Sequence, residues 1–148
     1  MQEVKVLGWQ LVIDREMTID SYLRYPEKDC DCCYCQNYRE TVKFFPTELA
    51  SLLESLGLNP AKPIEIIEFY KAPDGTHFYA AIFNVIGYIR ESPDASKQLT
   101  GELVTESLTD TIQIGFGTNV NFPRHFPDNT FQLEFFIYLP WVLADLDE

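Results

Sequence analysis

Basic residues are scarce in this chain, with 11 Lys and Arg against 23 Asp and Glu, a formal charge of −12. No run of Lys or Arg builds the stripe that displaces counterions from a phosphate backbone, so the sequence argues against nucleic acid as a partner. An anionic membrane surface is disfavoured for the same reason. Long apolar runs are missing too. The longest, from Tyr79 to Ile89, is broken by Asn84 and falls short of the ~20 residues a membrane helix needs. The opening Met1-Gln2-Glu3-Val4-Lys5 lacks the basic and apolar regions of a signal peptide, which leads to the expectation of a cytoplasmic protein. There is no P-loop, dinucleotide fingerprint, G-x-S-x-G or H-E-x-x-H. Carboxylates are scattered, and Glu65 and Glu68 stand at an odd separation that sets them on opposite faces of a strand. An enzyme is therefore not expected. Repeats and linkers are also absent, so residues 1–148 read as one domain.

What is present favours a folded core. The chain is 46% hydrophobic and 14% aromatic, far above a disordered composition, and a domain of this length removes roughly 70% of its unfolded surface from water. Val4, Val6, Leu11 and Ile13 alternate with polar residues around Leu7-Gly8, which predicts a hairpin. Thr18 offers a helix cap, followed by Ile19, Tyr22 and Leu23 at helical spacing, with Pro26 as the stop. Tyr38, Val42 and Phe45 predict a second helix over 31–45, ended by Pro46. Thr47 then caps a third, whose Leu49, Leu52, Leu53 and Leu56 form one apolar stripe ended by Gly57.

The second half changes period. Residues 64–71 and 77–90 are β-branched and aromatic around the Pro73-Asp74-Gly75 turn, and read as an antiparallel pair. The second of these is apolar at nearly every position, which suits a central strand covered on both faces, with Gly87 at a bulge or a close backbone approach. Residues 92–110 show no period and read as a loop. Further strands are expected over 111–117 and 130–139, separated by an Asn/Pro-rich segment. Helices early and strands late give an α+β fold, in which an N-terminal β-hairpin and three short helices precede a mainly antiparallel sheet.

The chemically unusual segment is Cys30-Asp31-Cys32-Cys33-Tyr34-Cys35, two overlapping C-x-x-C pairs. Reduced cytosolic thiols crowded in this way read first as metal ligands, redox thiols or small packing residues. For zinc, at most three of these sulfurs can reach one ion, so His77 or His125 would supply the remaining ligand. For redox work the thiolate would draw on a helix N-terminus, but the preceding Tyr25-Pro26-Glu27-Lys28-Asp29 is polar where thioredoxin-like motifs follow a buried strand. Asp29 and Asp31 should also raise thiol pKa values. Each histidine stands beside a Phe, and such a residue is more often a satisfied structural group than a ligand or base. Phe122, Phe126, Phe131, Phe135, Phe136, Tyr138 and Trp141 crowd the C-terminal third, where most should be core, and 139–143 should close the sheet end as a plug.

Three segments carry a resemblance: Cys30-Asp31-Cys32 with Cys35, Asn37 and Tyr38; Leu56-Gly57-Leu58-Asn59-Pro60-Ala61-Lys62-Pro63 with Glu65; and Gln132-Leu133-Glu134 with Leu139-Pro140-Trp141-Val142-Leu143. Together they resemble an uncharacterised family of small bacterial proteins of the kind found in Firmicutes. The resemblance implies one domain, joins Cys30, Cys32 and Cys35 as a set to which Cys33 is extra, and implies no catalytic residue. The leading expectation is a non-enzymatic intracellular domain whose cysteine turn binds Zn2+ or packs as structure. The alternatives are an acidic module that binds a basic protein partner, as an immunity protein or antitoxin does, and a thiol oxidoreductase. The charge itself reads as solubility, or else as attraction for a basic partner or mimicry of DNA.

Overall fold

The computed structural model describes residues 1–24, 30–121 and 125–144, so Pro26, Asp29 and Phe122, singled out above, lie outside the described residues. The fold is α+β, with the expected N-terminal hairpin and a sheet in which all pairings are antiparallel. Strands β1 (Gln2–Val6) and β2 (Trp9–Ile13) are joined by a turn in which Leu7 and Gly8 both take positive φ, 48° and 91°. That is the pairing whose twist matches a hairpin. Helix α1 (Arg15–Arg24) starts earlier than Thr18. Asp14 is the cap, its Oδ1 accepting from the Met17 amide at 3.0 Å, and Thr18 is a buried residue of the first turn.

Helix α2 (Cys33–Thr41) is shorter than the periodicity predicts, and a 3₁₀ turn over Val42–Phe44 carries the chain to Pro46. Helix α3 (Thr47–Ser55) begins at Thr47 after Pro46, which makes no side-chain cap bond. It ends as expected: the Leu58 amide donates to the Leu53 carbonyl and the Gly57 amide to Glu54, both at 2.9 Å. This pattern satisfies the orphan carbonyls of the last turn. Leu49, Leu52, Leu53 and Leu56 are all buried, each worth roughly 1.5–3 kcal/mol of removal from water.

The remaining strands are β3 (Glu65–Lys71), β4 (His77–Glu91), β5 (Val104–Ser107), β6 (Gln113–Gly117) and β7 (Thr130–Leu139). Segment 92–110 is not simply a loop. It contains β5 and a short helix, α4 (Ala95–Thr100), where Asp94 Oδ1 caps the amides of Ser96 and Lys97. The sheet runs β1-β2-β4-β7-β6-β5, with β3 also on β4. Leu11, Ile13, Tyr79, Phe83, Leu133 and Phe135 form its helix-facing side, packed on Tyr38 and the α3 leucines.

β4 is the central strand. On the side away from β7 it has two partners in succession, β3 along His77–Ile82 and β2 along Gly87–Glu91. Between them α1 fills the gap with hydroxyls. Tyr22 Oη donates to the Asn84 carbonyl at 3.0 Å and accepts from its amide at 2.8 Å, and Thr18 Oγ1 accepts from the Ile86 amide at 3.0 Å. Gly87, with φ 144°, marks the close approach expected of it. A Cβ there would lie 2.8 Å from Ile13 Cα and 3.0 Å from the Val12 carbonyl carbon, and closer still to the Val12 oxygen. Among the described residues no helix is long and apolar enough to cross a membrane.

Candidate metal centre

The cysteine segment forms the entrance to α2. Cys32 is its cap residue, with extended backbone (φ −66°, ψ 158°), so the next turn folds back and the Cys35 amide donates to Cys32 Sγ at 3.5 Å. Two long side chains brace the carbonyls of this turn: Arg39 donates to the Cys30 carbonyl at 2.7 Å and Gln36 Nε2 to that of Asp31 at 2.6 Å. The sulfurs of Cys30, Cys32 and Cys35 lie within 4.8 Å of one another. Tetrahedral zinc with sulfur at about 2.3 Å needs sulfurs roughly 3.8 Å apart, so three ligands of the right chemistry stand close to the required spacing. Cys30 and Cys32 are exposed and Cys35 is buried, so the group opens to solvent on one side. Cys33 is exposed and outside it.

The electrostatics separate the thiols. A hydrogen bond from the Cys32 backbone to Cys30, helped by the thiols of Cys35 and Cys32, holds the Cys30 pKa below its ordinary value. Arg39 adds a small favourable charge. For Cys30 this is opposite to the rise expected from Asp31, because backbone donors aimed at a sulfur act at closer range than a solvated carboxylate. Burial, and then the hydrogen bonds that Cys35 gives to Cys30 and Cys32, push the Cys35 pKa well up. Hydrogen bonding thus favours the thiolate of Cys30, and burial disfavours that of Cys35.

Beneath the cysteines, α2 is tied to the sheet and to the chain end. The Tyr34 carbonyl accepts from Tyr79 Oη and the Pro60 carbonyl from Tyr38 Oη, both at 2.8 Å. Asn37 Nδ2 donates to the Pro140 carbonyl at 3.0 Å, and Asn37 Oδ1 accepts from the Val142 amide at 2.8 Å. The plug expected of residues 139–143 is thus a segment latched to α2 by one buried amide. The three segments that carried the resemblance meet at this place.

The histidines stand apart from the thiols. Among the described residues, the group placed to hold a metal contains only the three cysteines. His77 is fully buried, its Nδ1 2.7 Å from Glu68 Oε2, with its ring 4.9 Å from Trp141 and 6.1 Å from Tyr34. It lies one aromatic layer from the cysteine helix. His125 is exposed and has φ 57°. Glu68, Asn37 and Trp141 join the site without being expected there from the sequence. Asn37 and Trp141 stand in the segments that carry the resemblance, and a hairpin turning at Pro73-Asp74-Gly75 brings Glu68 of β3 alongside His77. Comparison of the chain with protein-family models, curated proteins and solved structures returns no match.

Proposed function

We propose that this is a non-enzymatic cytoplasmic domain whose Cys30, Cys32 and Cys35 bind Zn2+ as three thiolates, clamping the turn before α2 to the first turn of that helix. The observation that carries the reading is the three sulfurs within 4.8 Å of one another. Backbone donation to Cys32 and Cys30 supports it for those two sulfurs, because such hydrogen bonds favour the thiolate form that a metal requires, whereas the buried Cys35 must give up its proton to the metal. The fourth position is left to water or an exchangeable ligand. His77 has its Nδ1 committed to Glu68, an arrangement that orients a metal-bound histidine in many sites, but its ring lies outside the sulfur group. A cytoplasmic setting suits four free thiols.

Mass spectrometry of protein purified without chelator should find close to one zinc per chain, and EDTA should release it while making the thiols reactive. Cys33→Ser should keep the metal, whereas Cys30→Ser, Cys32→Ser and Cys35→Ser should lose it. Because protons compete for the thiolates, zinc should leave as pH falls. Metal-free protein with four slow thiols would end the proposal. A reversible disulfide in metal-free protein would favour the redox reading instead.

A further inference from the structure

The face of the sheet turned away from the helices carries a continuous aromatic platform. Successive rows across β3, β4 and β7 place Tyr70 beside Phe78 and Tyr138, then Ile67 beside Ala80 and Phe136, then Glu65 beside Ile82 and Glu134. β3 passes from the pair Glu68–Tyr79 to the pair Tyr70–Phe78, so Phe69 is an extra residue in a bulge. That bulge re-aims its ring onto the same face, where it lies 5.3 Å from Phe78 and 6.4 Å from Phe136. Phe78 and Tyr138 are 4.6 Å apart, and the Tyr70 and Tyr138 hydroxyls bond at 2.8 Å. Phe69 and Tyr70 are each 47% exposed and Tyr138 is 41% exposed. An exposed cluster of joined rings of this kind marks an interaction surface.

Charge identifies the partner. The row beside the rings ends in Glu65 and Glu134, no Lys or Arg stands in these rows, and the whole chain carries −12. The Glu134 carboxylate is half-buried against the sheet and makes no hydrogen bond or ion pair among the described residues. Burial raises its pKa, the condition of a carboxylate that a cation would relieve. Two copies of so acidic a chain repel, and single-stranded nucleic acid, which also stacks on aromatic sheets, needs a basic groove. We propose that this aromatic face docks a cationic polypeptide segment, arginine or lysine side chains lying over the Phe69, Phe78 and Phe136 rings and reaching Glu134. The cations gain from the negative ring faces and from the carboxylate together. This site is independent of the metal centre.

The probe is a short arginine–glycine peptide titrated into the full-length protein by calorimetry, with the matching citrulline–glycine peptide and oligo-dT as comparisons. Saturable binding is expected, weakening as salt rises. Phe69→Ala and Tyr138→Ala, whose circular dichroism and melting should stay near wild type because both rings are exposed, should each weaken binding about fivefold or more. Glu134→Gln should weaken it similarly. Equal binding to these variants, equal binding of the citrulline peptide, or no binding at all would overturn the proposal. Tighter binding of oligo-dT, or a dimer in sedimentation that Phe69→Ala dissolves, would overturn it as well.

Discussion

Gly87→Ala is expected to be among the most damaging single-methyl changes in this protein. Two costs add. The left-handed backbone, φ 144°, is strained for any L side chain, at roughly 1–3 kcal/mol. The added methyl also has no room, because its neighbours at 2.8 Å and 3.0 Å are backbone atoms of Ile13 and Val12 that cannot rotate aside. β2 must then move off β4 where Ile13 pairs with Gly87, weakening ladder bonds worth about 1 kcal/mol each. Together this comes to about 3–5 kcal/mol out of a typical 5–15 for a folded domain. Urea unfolding, at fixed metal content, should show the midpoint falling without a change in slope, and the melting temperature should drop by roughly 10 °C. Gly75→Ala is the internal control. Its φ is 88°, yet nothing lies within 4 Å of the new methyl, so only the strain of about 1 kcal/mol applies. If the two variants lose the same stability, steric closure of the β2–β4 contact is not what Gly87 provides.

Tyr22→Phe should cost about 1–3 kcal/mol in the same assay, because it strips partners from both the Asn84 amide and its carbonyl. Thr18→Val, which keeps the shape and orphans the Ile86 amide, should do the same, and a neutral result in both would show that α1 is not what satisfies β4. Glu134→Gln should stabilise the fold at neutral pH. Burial raises this carboxyl above its ordinary 4.5, so the wild type loses stability as pH rises through the folded pKa, and the gain from Gln should vanish below 4.5. A gain that is constant from pH 3 to pH 8 would refute the burial argument.

How much of this was legible depends on whether the determining physics was local. α3 is legible because its leucine stripe and the Gly57-Leu58 ending are written within a dozen residues. β7 lies where the sequence predicts it, but the sequence does not say which of its rings face inward: Phe131 and Phe135 are buried in the core, whereas Phe136 and Tyr138 lie on the opposite face. A strand apolar on both faces hides the period of two that would have sorted them. The hydroxyl of Thr18 predicts a helix start there, but the carboxylate of Asp14 caps the helix four residues earlier through the Met17 amide. α4 and β5 were lost in a polar segment because their order comes from tertiary contacts, such as Gln98 donating to the Ile89 and Arg90 carbonyls. At the metal centre, adjacency in sequence was enough to group Cys30, Cys32 and Cys35. The Asn37 latch spans 103 residues and had no local signature.

The hydroxyls with which α1 completes β4 also bear on how the chain avoids self-association. A row of open backbone donors and acceptors along a central strand is a template for another molecule's strand, and nothing in its geometry limits growth once one has added. A third short strand in the gap between β3 and β2 would have closed the row by presenting a fresh one of its own. Tyr22 and Thr18 close most of it with side chains instead, the Asp14 amide takes the Ile86 carbonyl at 2.8 Å, and behind them stands a helix whose backbone bonds are already made. Growth ends there. Loosening α1 would therefore expose an adhesive seam, so Tyr22→Phe and Thr18→Val should raise light scattering on mild heating more than Gly75→Ala does at equal loss of stability.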